Sequence, residues 1–371
     1  MTTTTQPGTQ PETGDGPDSG EPGHSESTSD RQAVPGTLGG RKGKGRKSKR
    51  GGAEQSMVPD ATFTSYYGRP IVKASPWEAD IPAYLFAGGL AAGSSLLAAG
   101  GDLSGRPALR RTGRLGAISA LSFSMAALVH DLGRPMRFLN MLRVAKFTSP
   151  MSVGTWILST YGPFAGVAAA AELAGMLPAA HRRRWPVRLL TAAGRPAGVV
   201  AALTAPPVAA YTAVLLADTA TPSWHDAYRE LPFVFTGSAA AASGGLAMLT
   251  VPMDQTGPAR RLAIGGAVLE LLAERKMEHT MGLTAEPLHT GTAGQLMQAA
   301  KALTIAGASG SLLAGRSRAI AAVSGLALMA GSVCTRFGVF EAGQASARDP
   351  KYTVIPQRER VDRGQRIRHS G

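Results

Sequence analysis

The stretch Ile81–Gly100, IPAYLFAGGLAAGSSLLAAG, runs for twenty residues without a charge, a few positions after the polar residues Trp77, Glu78 and Asp80. At a helical rise of about 1.5 Å per residue it matches a hydrocarbon core about 30 Å thick. The chain is therefore read as an integral membrane protein. Its chemistry is then sought among the polar residues tolerated in and at the ends of the spans, because an ionisable group beside lipid is costly to keep and usually marks a site.

Overall composition disguises this. Mean hydropathy is near zero and 44% of the 371 residues are hydrophobic. Residues 1–57, however, form a polar tail rich in Gly, Pro, Ser and Thr. Such a tail buries too little apolar surface to offset its ordering entropy and is expected to be disordered. The tail contains the decamer Arg41-Lys42-Gly43-Lys44-Gly45-Arg46-Lys47-Ser48-Lys49-Arg50. Just ahead of a membrane span, that cluster reads as a partner for anionic lipid headgroups that holds the N-terminus in the cytoplasm, and not as a nucleic-acid site. No apolar segment follows Met1, so no cleavable signal peptide is expected.

About eight spans are expected, near 81–100, 115–130, 151–171, 197–217, 231–253, 262–280, 296–315 and 319–335, with Glu270 and Lys301 interrupting the sixth and seventh. Gly, Ala and Ser crowd them, which suits close helix packing. The fold class is all-α: a transmembrane bundle over 58–340, between the tail of 1–57 and a basic C-terminal tail of 341–371. Pro206 and Pro207 inside the fourth span remove two backbone donors and predict a bend just before Tyr211. The two orientation signals conflict. Loops that an eight-span topology puts opposite the termini carry Arg110, Arg111, Arg114, Arg182, Arg183, Arg184 and Arg188, whereas the basic tail favours termini in the cytoplasm.

Metal chemistry is examined by subtraction. Cys334 is the one cysteine, so an iron–sulfur cluster, which needs about four thiolates, has no ligand set. Of the seven histidines only His130 closes a span, and no pair sits in mid-membrane to ligate a haem. No intrinsic metal, haem or cluster is expected. Any electron traffic then requires a diffusible lipid-soluble carrier.

Several polar residues converge on the face that bears the termini. Trp77, Asp80 and Tyr84 stand at i, i+3 and i+7, hence on one side of a helix. His130 and Asp131 close the second span, Tyr211 lies in the fourth, Trp224 and His225 follow it, and Glu230 precedes the fifth. Tyr, His and Asp side chains hydrogen-bond the carbonyl oxygens of a quinone, and a neighbouring acid or His passes protons. Plainer roles compete for each. Asp80 serves equally as an N-cap; Trp77, Tyr84 and Trp224 as interfacial anchors; Asp131 as an ion-pair partner of Arg134; Glu270 as a partner of Lys301 or Arg275; and Tyr211 as a buried structural tyrosine.

The segments Tyr67-Gly68-Arg69-Pro70, Trp77–Gly93 (WEADIPAYLFAGGLAAG), His130–Leu139 (HDLGRPMRFL), Ser149–Leu158 (SPMSVGTWIL) and Tyr211–Ala239 (YTAVLLADTATPSWHDAYRELPFVFTGSA) together resemble the NrfD/polysulfide-reductase membrane-subunit family. The resemblance spans roughly residues 57–357. It implies an eight-helix, quinone-reactive anchor that works with a four-cluster ferredoxin-like iron–sulfur subunit and usually a molybdopterin catalytic subunit. It also implies quinone-site groups from the first and fourth helices, matched here by Asp80 and Tyr84, with Trp77 beside them, and by Tyr211. A proton-transfer acid closing the second helix is matched by Asp131, next to His130. Where family members often carry Asn and His at the first-helix pair, this chain has Asp and Tyr.

The reading is a plasma-membrane subunit with cytoplasmic termini that exchanges electrons between the quinone pool, expected to be menaquinone, and an iron–sulfur partner. A secondary transporter or ion channel competes on the strength of Glu270, Lys301 and the double proline. A passive membrane anchor is the third possibility.

Overall fold

The computed structural model describes residues 70–133, 136–143 and 145–369, without the side chains of 137–139, 363 and 365–369. The expected tail over 1–57, its basic decamer, Tyr67–Arg69 and Arg134 lie outside the described residues. So does the Arg137 side chain.

The described chain is helical, in the order α1 Asp80–Leu103, α2 Pro107–Asp131, α3 Arg137–Leu142, α4 Pro150–Gly175, α5 Ala179–Arg182, α6 Trp185–Ala217, α7 Pro222–Asp226, α8 Leu231–Thr250, α9 Gly257–Met281, α10 Gly291–Leu313, α11 Arg318–Arg348 and α12 Lys351–His369. A 3₁₀ segment, Gly282–Leu288, connects α9 to α10. Proline stands in the first turn of α2, α4, α6, α7, α8 and α9, where its missing N–H would be unpaired in any case and its fixed φ suits helix entry. Pro206 and Pro207 leave α6 continuous across its 33 residues.

Among the described residues, α1, α2, α4, α6, α8, α9, α10 and α11 each have 20 residues or more. Five of them, α1, α2, α6, α8 and α11, are long and apolar enough to cross a membrane by length and composition. The third expected span, within α4, and the sixth and seventh, within α9 and α10, are not among the five. In α9 and α10 the physical reason is inside-out amphipathicity. Their outward faces carry Val268, Leu269, Leu272, Ile305 and Leu312, all exposed, while Glu270 and Glu274 are buried. Polar groups turned inward lower the mean hydropathy of a helix whose outer surface remains lipid-like. The last long helix extends well past the expected end at 335, to Arg348.

The long helices pack as two groups, α1, α2, α4 and α6, and α8 to α11, joined where α1 and α6 meet α8 and where α1 meets α11. Small residues set the spacing. A Cβ added to Gly245 would lie 2.6 Å from the Gly325 carbonyl oxygen, and one added to Gly325 would lie 2.5 Å from that of Gly245, so α8 and α11 touch backbone to backbone.

The expected loop arginines between α1 and α2 are not free surface charge. Arg110 donates to both carboxylate oxygens of Glu172 at 3.0 and 3.1 Å, and Arg114 donates to Oε2 at 3.3 Å. Arg110, Arg114 and Arg195 all stand within 3.7 Å of Asp102. Asp102 of α1 and Glu172 of α4 thus hold these arginines in ion pairs, while the orientation rule counts the arginines whether or not they are paired.

Candidate functional site

The site forms at the end of the first helix group where α1 begins and α2 and α6 end. A cavity of about 60 Å³ is bounded there by Trp77, Tyr84, Asp131, Tyr211, Gly154, Thr155, Met141, Met151 and four apolar residues, Ile81, Leu128, Leu158 and Leu215, with Leu132 completing the ring. Four of the six residues singled out in the sequence, Trp77, Tyr84, Asp131 and Tyr211, thus share one cavity. The other two, Asp80 and His130, pair beside it: His130 Nδ1 donates to Asp80 Oδ2 at 2.7 Å. The His130 side chain is 81% exposed.

Tyr211 is the most informative of these. Only 8% of it is exposed, and its hydroxyl has no hydrogen-bond partner among the described residues. Tyr161, equally apolar in its surroundings, shows what a purely structural tyrosine does in this bundle. Its hydroxyl donates to the Ala91 carbonyl at 2.9 Å and shares a 2.8 Å hydrogen bond with Ser95. Buried polar groups are normally paired, and among the described residues the Tyr211 hydroxyl is not.

The ring of Tyr211 is placed by α4. A Cβ on Gly154 would lie 2.3 Å from Tyr211 Cε2, so only glycine lets the ring pack this closely against that helix. Thr155 beside it, also in the cavity wall, turns its hydroxyl back to the Met151 carbonyl at 2.9 Å. Sequence reading included Gly154 and Thr155 in a family-like motif without assigning them a task. Their role depends on a contact across helices that no local pattern signals.

Asp131 is the last residue of α2. Gly133 has φ +66° and its N–H returns to the His130 carbonyl at 3.0 Å, closing the helix in a left-handed conformation that glycine adopts without penalty. This turn holds Asp131 at the cavity and His130 at the surface, one residue apart. Asp131 stands in the field of Asp80 and Glu78 as well as His130.

Trp77 is positioned from behind. Its ring stacks on Trp224 with centroids 6.0 Å apart, and Gln344 of α11 donates to the Ser75 and Trp77 carbonyls at 3.0 and 3.3 Å. Trp224 is 1% exposed and donates from Nε1 to the Val339 carbonyl at 2.8 Å. Trp224 and Tyr84, which is 3% exposed, are therefore core residues and not interfacial anchors. Asp80 is not an N-cap: it is the first residue of α1, Ala79 takes the cap position, and no side chain caps the helix. Glu230 lies outside the cavity, buried, with Lys276 3.9 Å away.

A larger apolar groove, about 520 Å³, lies on the other face of α4, lined by Phe147, Val153, Trp156, Ile157, Thr204 and Pro207 with Lys146 at its edge. Among its lining residues there is no carboxylate, tyrosine or histidine. Among the described residues no group of three or more His, Cys, Asp or Glu side chains is arranged to hold a metal ion.

The family described as polysulphide reductase, NrfD, matches residues 71–260. This segment runs from the approach to α1 through α8 and includes every residue lining the cavity. No curated protein matches the chain.

Proposed function

Since the chain belongs to the polysulphide reductase NrfD family, a family of quinone-interacting membrane subunits of oxidoreductases, we propose that the cavity between α1, α2, α4 and α6 is where a quinone headgroup binds. The observation that carries this reading is Tyr211, whose hydroxyl is buried and unpartnered among the described residues and which lines a space shared with Tyr84, Trp77 and Asp131. Apolar walls and one orphaned donor suit a flat ring with a carbonyl acceptor. At about 60 Å³ the space holds a few waters, so a headgroup enters by displacing side chains. Met141 and Met151, unbranched and adaptable, are the wall residues best able to yield.

A bound quinone supplies reversible two-electron, two-proton chemistry. Tyr211 donates to one carbonyl and fixes the ring's position. Asp131, within the same wall, exchanges a proton with the headgroup, and the exposed His130–Asp80 pair exchanges protons between solvent and that wall. Electrons pass to or from a ferredoxin-like iron–sulfur subunit that also serves a molybdopterin enzyme. That partner docks on the face bearing the start of α1 and the connection from α2 to α4, where Arg143 and Lys146 are exposed. Menaquinone is the proposed carrier, no haem or iron is bound by the chain itself, and the docking face is cytoplasmic at the plasma membrane.

Tyr211→Phe, which keeps the ring and removes one hydroxyl, is expected to lower quinol-linked turnover of the assembled complex several-fold. A hydrogen bond of about 0.5–1.5 kcal/mol is lost, and more when a buried acceptor is left bare. Wild-type quinol kinetics in that variant would exclude Tyr211 from the site. Asp131→Asn retains shape and hydrogen bonding but not proton acceptance. It is expected to depress turnover with an altered pH profile, and a turnover unchanged at every pH would make Asp131 structural.

A further inference from the structure

The second helix group contains a charge cluster that the quinone reading does not use and that lies wholly beyond the segment matching the family. Glu270, Glu274 and Glu278 recur every fourth residue on α9 and so share one face. Glu270 and Glu274 are each 2% exposed, whereas the Glu278 side chain, nearer the end of α9, is 20% exposed. The groups around them come from every packed neighbour. From α10, Lys301 Nζ stands 3.4 Å from Glu274 and 2.8 Å from Glu278. From α11, Thr335 donates to Glu270 Oε1 at 2.7 Å, and the next residue, Arg336, is 1% exposed and interacts electrostatically with Glu270. The hydroxyls of Ser238 on α8 and Thr304 on α10 also bear on Glu270. His289, beyond the 3₁₀ segment, lies 3.9 Å from Glu278. The remaining nearby charges are occupied elsewhere, Glu230 with Lys276 and Glu286 with Lys351.

Charge counting decides what this cluster does. Three carboxylates face two cations, Lys301 and Arg336, with His289 near Glu278 alone; Glu278 and Lys301 reach the surface, so the one negative charge in excess bears on the buried pair Glu270 and Glu274. Keeping an unpaired carboxylate ionised there costs far more than protonating it. Pairing is also incomplete: among the described residues Glu270 Oε2 and both Nε and Nη1 of Arg336 are buried without a hydrogen-bond partner, and Glu274 Oε1 is met only by Lys301 Nζ at 3.4 Å. We propose that this cluster is a second binding site, whose ligand is one exchangeable proton shared by Glu270 and Glu274 and delivered through Glu278 and Lys301 from the face where α9 ends. In loading, an O–H bond forms on the Glu270–Glu274 pair as a proton is given up by solvent at Glu278; release reverses this, and no electron moves. The site does not depend on the quinone reading, and it places proton binding in a different helix group from the Tyr211 cavity.

Infrared spectroscopy of the full chain in lipid nanodiscs at neutral pH tests this directly. The carbonyl stretch of one protonated carboxyl is expected, moving to lower frequency after transfer to D₂O. Glu270→Gln and Glu274→Gln should each abolish it, because either leaves two carboxylates against two cations. Lys301→Met should add a second protonated carboxyl. Glu274→Asp keeps the titrating group and should keep the band, which separates loss of the proton from loss of the fold. A wild-type protein without the band, a band indifferent to both Gln substitutions, a band unmoved by D₂O, or no gain in Lys301→Met would overturn the proposal.

Discussion

Glu172→Ala is expected to destabilise the bundle by about 3–5 kcal/mol, the range for removing one partner of a buried ion pair. Its carboxylate is 4% exposed and accepts from Arg110 and Arg114, with Arg111 Nε 3.6 Å away. The cost arises from what remains. Arg114, with its side chain 8% exposed, would retain among the described residues only Asp102, at 3.7 Å, and its Nε already has no hydrogen-bond partner among them. Because Glu172 belongs to α4 and Arg110 and Arg114 to α2, the loss falls on the contact that holds the first helix group together at the end away from the cavity. Thermal unfolding in a fixed lipid or detergent measures it. Glu172→Leu combined with Arg114→Leu should recover much of the loss, since an apolar pair of similar volume leaves no stranded charge. A melting temperature that barely moves in Glu172→Ala would show that Asp102 alone satisfies the arginines.

Gly343→Ala is expected to cost at or above the upper end of the 1–3 kcal/mol typical of overpacking, and to disturb the cavity as well as the fold. The added Cβ would lie 2.0 Å from both Nε1 and Cε2 of Trp224. The indole has nowhere to go, being held by Val339 and pressed between Trp77 and Phe340, whose centroids lie 6.0 and 5.5 Å away. Any shift of Trp224 is passed to Trp77 by stacking, and so to the cavity wall. Gly343→Ala should therefore show a lower melting temperature, a changed tryptophan emission and weakened quinol kinetics together. Loss of stability with unaltered quinol kinetics would separate Trp77 from the site.

The helical membrane architecture was legible because hydropathy and small-residue content are properties of contiguous sequence. Eight predominantly apolar stretches, the sixth and seventh interrupted by charges, imply eight long helices, whatever surrounds them. Direction follows from alternation, which is why Trp77, Tyr84, Asp131 and Tyr211 were assignable to one end of the bundle before any coordinates. Several of the plainer alternatives open to that reasoning do not hold where neighbours set a group's environment. Trp224 and Tyr84 look like interfacial aromatics in sequence but are core residues, and Asp80 looks like a cap but pairs with His130. Glu270 was matched with Lys301 or Arg275, yet it accepts from Thr335, and Lys301 serves Glu274 and Glu278.

Sequence alone thus determined the solvent of this protein, the number and order of its long helices, and the residue types available at each end. Those depend on local transfer free energies and on the fixed geometry of a helix. The tertiary structure decided which hydroxyl lacks a partner, which glycine admits the Tyr211 ring, and which carboxylates outnumber their cations. Satisfaction, clearance and charge balance are sums over groups from several helices, and neither spacing nor hydropathy within one helix contains them.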